Sequence, residues 1–362
     1  MARYKGHTEP VHTGQAATGV LITNLGTPDA PTSKALRKYL AEFLSDPRVI
    51  ETPKLIWLPI LYGIILTLRP HRSAKAYAKI WTDEGSPLRV ISQRQVAAIA
   101  RHLKEKLTGP VVIELGMSYG NPSIRSALDR MHAANVRKLL VFPLYPQYSA
   151  TTTASTFDAV AEVLKTWRWL PDLRMISHYH DNQDYITALV ESVRLYWASQ
   201  GKADKLLFSF HGLPKKYFTA GDPYFCECQK TARLVASQLQ LEESEWIVTF
   251  QSRFGPVEWL QPYTGDVLKN MAKAGKTNIQ IICPGFSADC LETLEEIQIQ
   301  YRKFFMDAGG KQFAYIPALN DSVNHIEALT NIIVENCQGW NTGSAEGTAA
   351  LITERVKKLN PS

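Results

Sequence analysis

The sequence has no Gly-x-Gly-x-x-Gly and no Gly-x-x-x-x-Gly-Lys-[Ser/Thr] stretch, so a phosphate-cradling nucleotide loop is not expected. Cysteine is scarce and odd in number: Cys226, Cys228, Cys283, Cys290 and Cys337. Five thiols fit a reducing compartment better than a disulfide framework. The Cys226-x-Cys228 spacing is not that of a zinc ribbon or finger, so these two read as surface or semi-buried thiols. The stretch from Met1 to Ala16 carries Arg3, Lys5, Glu9 and two histidines with no apolar segment behind them, unlike a secretory signal. Net charge is only +6 and no dense Lys/Arg stripe occurs, so nucleic acid is not an expected partner. A Ser-His-Asp nucleophile elbow is not expected either.

Long apolar runs are also missing, with one partial exception. Leu55 to Leu68 is a stretch of 14 uncharged, mostly apolar residues. It is shorter than the ~20 residues a spanning helix needs, and Pro59 and Gly63 interrupt it. Lys54 precedes it, Arg69 and Arg72 follow, and Trp57 and Tyr62 are rings of the kind that settle at interfaces. It reads either as a buried core helix or as an apolar lip that touches a bilayer or lines an apolar pocket.

The 362 residues suit two domains, and apolar (45%) and charged (20%) contents are those of a globular chain. Eight β-rich runs recur in two sets of four. The first set is 19–25, 111–115, 138–142 and 173–177; the second is 205–210, 246–250, 278–283 and 312–316. Several are near-continuous apolar runs, as in strands covered on both faces. Amphipathic segments such as 93–106 separate them, which implies parallel sheets with helical crossovers. The expected fold is α/β: two similar Rossmann-like domains, each a four-stranded parallel sheet flanked by helices, with a cleft between. The first domain covers 16–180, carries the lip at about 49–69 and is completed by a C-terminal helix at 322–336. The second covers 181–321, and 337–362 reads as a peripheral tail. A helix over 181–199, capped at Asp181-Asn182, joins the halves.

Open α/β sheets bind ligands beyond the carboxyl ends of their strands. There the sequence places aromatic rings: Tyr119, Tyr145, Tyr148, Phe254, Phe286 and, slightly further on, Trp259. Rings around a cleft suit a flat apolar ligand. Two ionisable groups stand out. His211 follows a buried strand and precedes Gly212; its imidazole can take a proton or ligate a metal. Glu292 and Glu296 are spaced to share one helix face, with Asp289 one turn before. One His and one Glu are too few for a closed structural zinc site, and they suit a transiently held divalent metal.

Five strings together carry a family resemblance: 24–28 (Asn-Leu-Gly-Thr-Pro), 143–149 (Pro-Leu-Tyr-Pro-Gln-Tyr-Ser), 210–214 (Phe-His-Gly-Leu-Pro), 251–255 (Gln-Ser-Arg-Phe-Gly) and 289–294 (Asp-Cys-Leu-Glu-Thr-Leu). In order, and from about Gly19 to about Val334, they resemble ferrochelatases of the bacterial type. The resemblance implies a chelatase-like fold and a lyase that inserts Fe²⁺ into protoporphyrin IX to give protohaem, the last step of haem synthesis. It implies His211 and Glu292 as catalytic and metal-contacting residues. It implies Arg69, Tyr77, Ser86, Tyr119 and Trp259 as porphyrin contacts, and it places 55–68 in an apolar lip at the cleft mouth. Glu296 extends a carboxylate path for metal or protons.

Fe²⁺ and protoporphyrin IX are then substrates, and no cofactor is permanently bound. An iron–sulfur cluster is not expected, because the tail offers only Cys337. The expected location is cytoplasmic, with peripheral contact to the inner membrane through 55–68. Three positions depart from many mitochondrial members: Ser118 stands where they carry Arg, Cys290 where they carry His, and Gln300 at the third acidic position of the row. Rival readings are a chelatase for another divalent metal or for coproporphyrin, and a tetrapyrrole-binding protein without chemistry.

Overall fold

The computed structural model describes residues 4–6, 16–340, 354 and 358. Two four-stranded, all-parallel sheets form the frame. The first contains β1 (Ala17–Thr27), β2 (Val111–Gly120), β3 (Val136–Pro143) and β4 (Asp172–Met175), in the order β2-β1-β3-β4. The second contains β5 (Lys205–His211), β6 (Trp246–Gln251), β7 (Asn278–Ile282) and β8 (Gln312–Ile316), in the order β6-β5-β7-β8. Both sheets thus repeat one topology.

In the first half the helices are α1 (Ser33–Ser45), α2 (Lys54–Ile60), α3 (Leu66–Ile80), α4 (Pro87–Lys106), α5 (Ile124–Ala133) and α6 (Ser155–Leu164). Then come α7 (Gln183–Gln200), α8 (Lys215–Thr219), α9 (Tyr224–Gln238), α10 (Thr264–Lys273), α11 (Arg302–Asp307) and α12 (Val323–Asn336). Wide π turns occupy Leu61–Ile65, Ala150–Ala154 and Glu292–Tyr301.

Burial explains which runs became which strands. The central β1 is buried along its length except for half-buried Leu25, whereas the edge strand β4 is four residues long and exposes Asp172 and Leu173. At the end of β1 the chain needs Gly26. Its φ is 105°, and a Cβ there would sit 1.8 Å from the Tyr119 carbonyl oxygen. Asn182 caps α7 by accepting from the amides of Asp184 and Tyr185, while Asp181 pairs with Lys230.

One apolar cluster runs from Val20 and Phe142 through Tyr185, Leu189 and Ile333 to Phe208, Phe210 and Phe250. It belongs to both sheets, with α7 and α12 between them. α12 packs on α4 and α7. Cys337 and Trp340 are buried, and the Trp340 indole donates to Asp172 at 2.6 Å. The packed body therefore continues to Trp340, past the boundary expected at Cys337. The remainder of the expected tail, apart from Glu354 and Lys358, lies outside the described residues.

The apolar run 55–68 is not a core helix. α2, a π turn and the start of α3 share it, and Leu55 is 93% exposed, Leu68 69% and Ile56 59%. Leu61 and Leu66 are buried with Leu36, Leu40 and Tyr77, and Trp57 and Ile65 are partly buried against the same cluster. Pro70 has no N–H to give the Leu66 carbonyl four residues back, and the Arg37 guanidinium donates to that oxygen instead.

Candidate active site

Order β2-β1-β3 and order β6-β5-β7 each reverse direction at the central strand, which opens a crevice beyond its carboxyl end. His211 is the last residue of β5, and Glu292 starts the π-helix that follows β7. The second crevice therefore lies between the two elements that carry them.

His211 is half-buried. Its Nδ1 lies 2.7 Å from the Gly212 carbonyl oxygen. A carbonyl only accepts, so Nδ1 holds the proton and Nε2 keeps its lone pair. Trp259 flanks the imidazole, ring centroids 6.5 Å apart. Gly212 permits that approach: a Cβ there would meet the Gln251 carbonyl at 2.8 Å and the indole at 3.1 Å. The Trp259 indole N–H is buried and makes no hydrogen bond, so it is a donor available to a ligand.

The Glu row is held by a π-helix rather than an α-helix. Its i→i+5 bonding brings Tyr301 onto Glu296, hydroxyl to Oε1 at 2.9 Å. Ser252 binds the same carboxylate through its backbone N–H at 2.9 Å and its hydroxyl at 2.5 Å. Burial raises the Glu296 pKa, which these donors and His211 partly offset. Buried Gln251 accepts from Ser209 and donates to the Glu292 carbonyl at 3.0 Å, tying β5, β6 and the π-helix together. Gln251, Ser252 and Tyr301 were missed in the sequence. The 251–255 string was the only signal for the first two, and Tyr301 gave none without the π register.

Two acidic residues behave differently from the row. Asp289 is buried and accepts from Thr293, Tyr315 and Asn320, so it clamps the loop after β7. Glu295 is buried, takes a bond from Gln300 and is paired with Lys79 of α3 at 2.7 Å. Gln300 thus serves Glu295 and does not continue the row.

Glu292, at the start of the π-helix, is near enough to bear on the ionisation of Arg69, Tyr39 and Tyr77, and its neighbour Leu291 packs with Leu66 and Tyr77 at the root of the lip. Burial lowers the Arg69 pKa and Glu292 opposes that; the guanidinium also stacks 4.7 Å over exposed Phe254. Tyr77 is buried, with its pKa raised by burial first and Glu292 second.

Ser86 is fully buried, 2.7 Å from the Thr27 hydroxyl. Tyr119 is buried too, its hydroxyl donating to Asp46 at 2.7 Å and lying 3.0 Å from Ser155. Tyr77 and Tyr119 join Leu61, Leu66 and Leu291 in one apolar cluster. Arg69, Trp259, His211 and Glu292 keep exposed surface, whereas Ser86 and Tyr119 are already satisfied within the protein.

Residues 116–120 do fit the Gly-x-Ser-x-Gly spacing of a nucleophile elbow. They lie within β2 rather than on a strand-to-helix turn, and Ser118 faces Thr156 at 3.4 Å, so the absence of an elbow rests on geometry and not on spacing. Of the Cys226/Cys228 pair, one thiol is exposed and the other buried. Among the described residues no helix is long and apolar enough to cross a membrane.

A sequence model of the ferrochelatase family matches residues 17–337. A ferrochelatase of Thioalkalivibrio sulfidiphilus is 55% identical, covering 93% of this chain and 92% of its own. One from Marinobacter nauticus is 51% identical over 99% of this chain and 98% of its own. Among solved structures, SirB from Bacillus subtilis with Fe³⁺ covers 89% of this chain and 96% of its own, with a TM-score of 0.54 at 12% identity. That last similarity concerns the fold: two Rossmann-like chelatase units.

Proposed function

As this chain belongs to the ferrochelatase family, it is a metal-inserting lyase, and we propose that it places Fe²⁺ into protoporphyrin IX in the crevice between His211 and the π-helix. Insertion balances simply. Fe²⁺ enters, two pyrrole N–H protons leave, and iron keeps its oxidation state. The chemistry needs a base beside the ring, an outlet for protons and a cleft that bends the macrocycle.

The observation that carries the reading is the fixed tautomer of His211. With Nδ1–H committed to the Gly212 carbonyl, Nε2 is the open lone pair, able to take a pyrrole proton or to hold the incoming metal. Glu292 and then Glu296 offer carboxylates leading away from it, and Ser252 and Tyr301 hold Glu296 in place. The raised pKa of Glu296 suits a group that must accept a proton and pass it on.

Arg69, set between Glu292 and Phe254, supplies a cation at the lip root for a porphyrin propionate. Trp259 supplies ring surface and a free N–H. The exposed apolar residues of 55–68 support a membrane-facing lip from which a greasy ring enters. We assign the protein to the cytoplasmic side of that membrane, with the lip as its peripheral contact.

The test follows porphyrin fluorescence with Fe²⁺ supplied anaerobically. In His211→Ala the fluorescence should persist while porphyrin still binds with near-parental affinity. Insertion at the parental rate would refute the assignment.

A further inference from the structure

Three ligand-type side chains meet away from the crevice. His178 and His180 lie in the segment after β4, and Glu227 lies in the first turn of α9, so the first half supplies two of the groups and the second half one. One nitrogen of each histidine and one Glu227 oxygen all fall within 4.8 Å of each other. His178 Nδ1 is 2.7 Å from Glu227 Oε1, and His180 Nδ1 is 3.3 Å from Oε2.

The first contact is an ordinary hydrogen bond, but the second is not. His180 is buried, and its Nδ1 has no hydrogen-bond partner despite its distance from the carboxylate. A buried imidazole nitrogen left without a hydrogen bond 3.3 Å from a carboxylate oxygen is costly unless both atoms share another partner.

From these residues we propose a second divalent transition-metal site, with His178, His180 and Glu227 as ligands and an open position on the exposed His178 side. Two imidazoles and a carboxylate form the donor set of open zinc sites and of ferrous facial triads. Zinc–nitrogen and zinc–oxygen bonds of ~2.0–2.1 Å at a tetrahedral angle put ligand atoms roughly 3.3 Å apart. The His180–Glu227 separation already has that value, so His178 is the ligand that must give way.

The surroundings fit a metal as well. Glu227 Oε2 accepts the Tyr148 amide at 2.7 Å, which fixes the carboxylate, and Asp181 lies 3.9 Å from the other nitrogen of His180. An ion here would bind residues of both halves at once. Tyr224, one turn before Glu227, reaches the His211 backbone, so α9 connects this site with the crevice.

Equilibrium dialysis of the chelator-stripped full chain against Zn²⁺ tests the site, compared with His178→Ala/His180→Ala. The double variant should hold one equivalent less Zn²⁺ per chain. It should also lose the rise in melting temperature that Zn²⁺ gives the parent. Should the double variant fail to fold, His178→Gln alters only the half-exposed ligand and should bind that equivalent at least ~10-fold more weakly. Equal stoichiometry and affinity in parent and folded variants would overturn the site. Porphyrin fluorescence is not the readout, so this outcome is independent of the role given to His211.

Discussion

Ser252, held in the left-handed region at φ 65°, gives both its backbone N–H and its hydroxyl to the carboxylate of Glu296. A non-glycine residue in that conformation is strained, and here the strain aims two donors at one buried anion. Removing the hydroxyl in Ser252→Ala leaves burial less opposed, so the Glu296 pKa rises further. The carboxylate form then appears only at higher pH. The acidic limb of the kcat/KM profile should move up by roughly one to two pH units, since a charge-assisted hydrogen bond is worth about 1.5–3 kcal/mol. An unmoved limb would remove Glu296 from the proton path.

Lys79 and Glu295 connect α3 to the π-helix across the crevice. The carboxylate is buried and the ammonium half-exposed, so the two ends differ in what their loss leaves behind. Lys79→Ala strands a buried anion and should cost about 1–3 kcal/mol in urea unfolding, with Gln300 still bonded. Glu295→Gln leaves unpaired only the half-exposed Lys79 ammonium, which water can solvate, and should cost less. The reverse ranking would contradict this account.

His325 is fully buried, its Nδ1 on the Asn320 carbonyl at 2.7 Å and its pKa pushed down to about 4 by burial. The unfolded chain takes up this proton near pH ~6.5 while the folded one refuses it. Stability is therefore complete above that pH and drains away as pH falls toward 4, by about 3 kcal/mol from this group alone. Melting temperatures across the window should fall less steeply in His325→Gln. A parallel slope would show that other groups set the acid limit.

Leu55 is almost fully exposed and Leu68 mostly so, so charging them should leave the fold unchanged. Leu55→Asp/Leu68→Asp should lower partitioning onto anionic phospholipid vesicles by roughly tenfold or more, since burying one leucine is worth about 1.5–3 kcal/mol. Sedimentation with vesicles measures this directly. Undiminished binding would assign the contact to another surface.

The strands were legible because both sheets are buried and parallel, which writes several of them as short, near-continuous apolar runs. The placement of His211 at the end of β5 and of Glu292 after β7 was legible because such sheets put their loops at the carboxyl ends of the strands. The π-helix was not. Its i→i+5 bonds have no residue preference to read, and an α-helical register assigns Gln300 and Tyr301 to the wrong neighbours. Asp289 read as a neighbour of the Glu292 and Glu296 row, and only tertiary partners from β8, the Asn320 loop and α3 show that it and Glu295 are internal. His178, His180 and Glu227 were invisible for another reason: nothing local links residues that two different halves bring together.

The apolar cluster that passes through α7 and α12 into both sheets has a mechanical consequence. Two units sharing one close-packed interior cannot swing like jaws, because opening would tear a continuous interior into two wetted faces. The spacing between the sheets is then a constant of the molecule, set at folding rather than at each turnover. For the porphyrin proposed as substrate, walls that do not move would make the ring the part that yields, and would confine the motions that admit and release it to the rim.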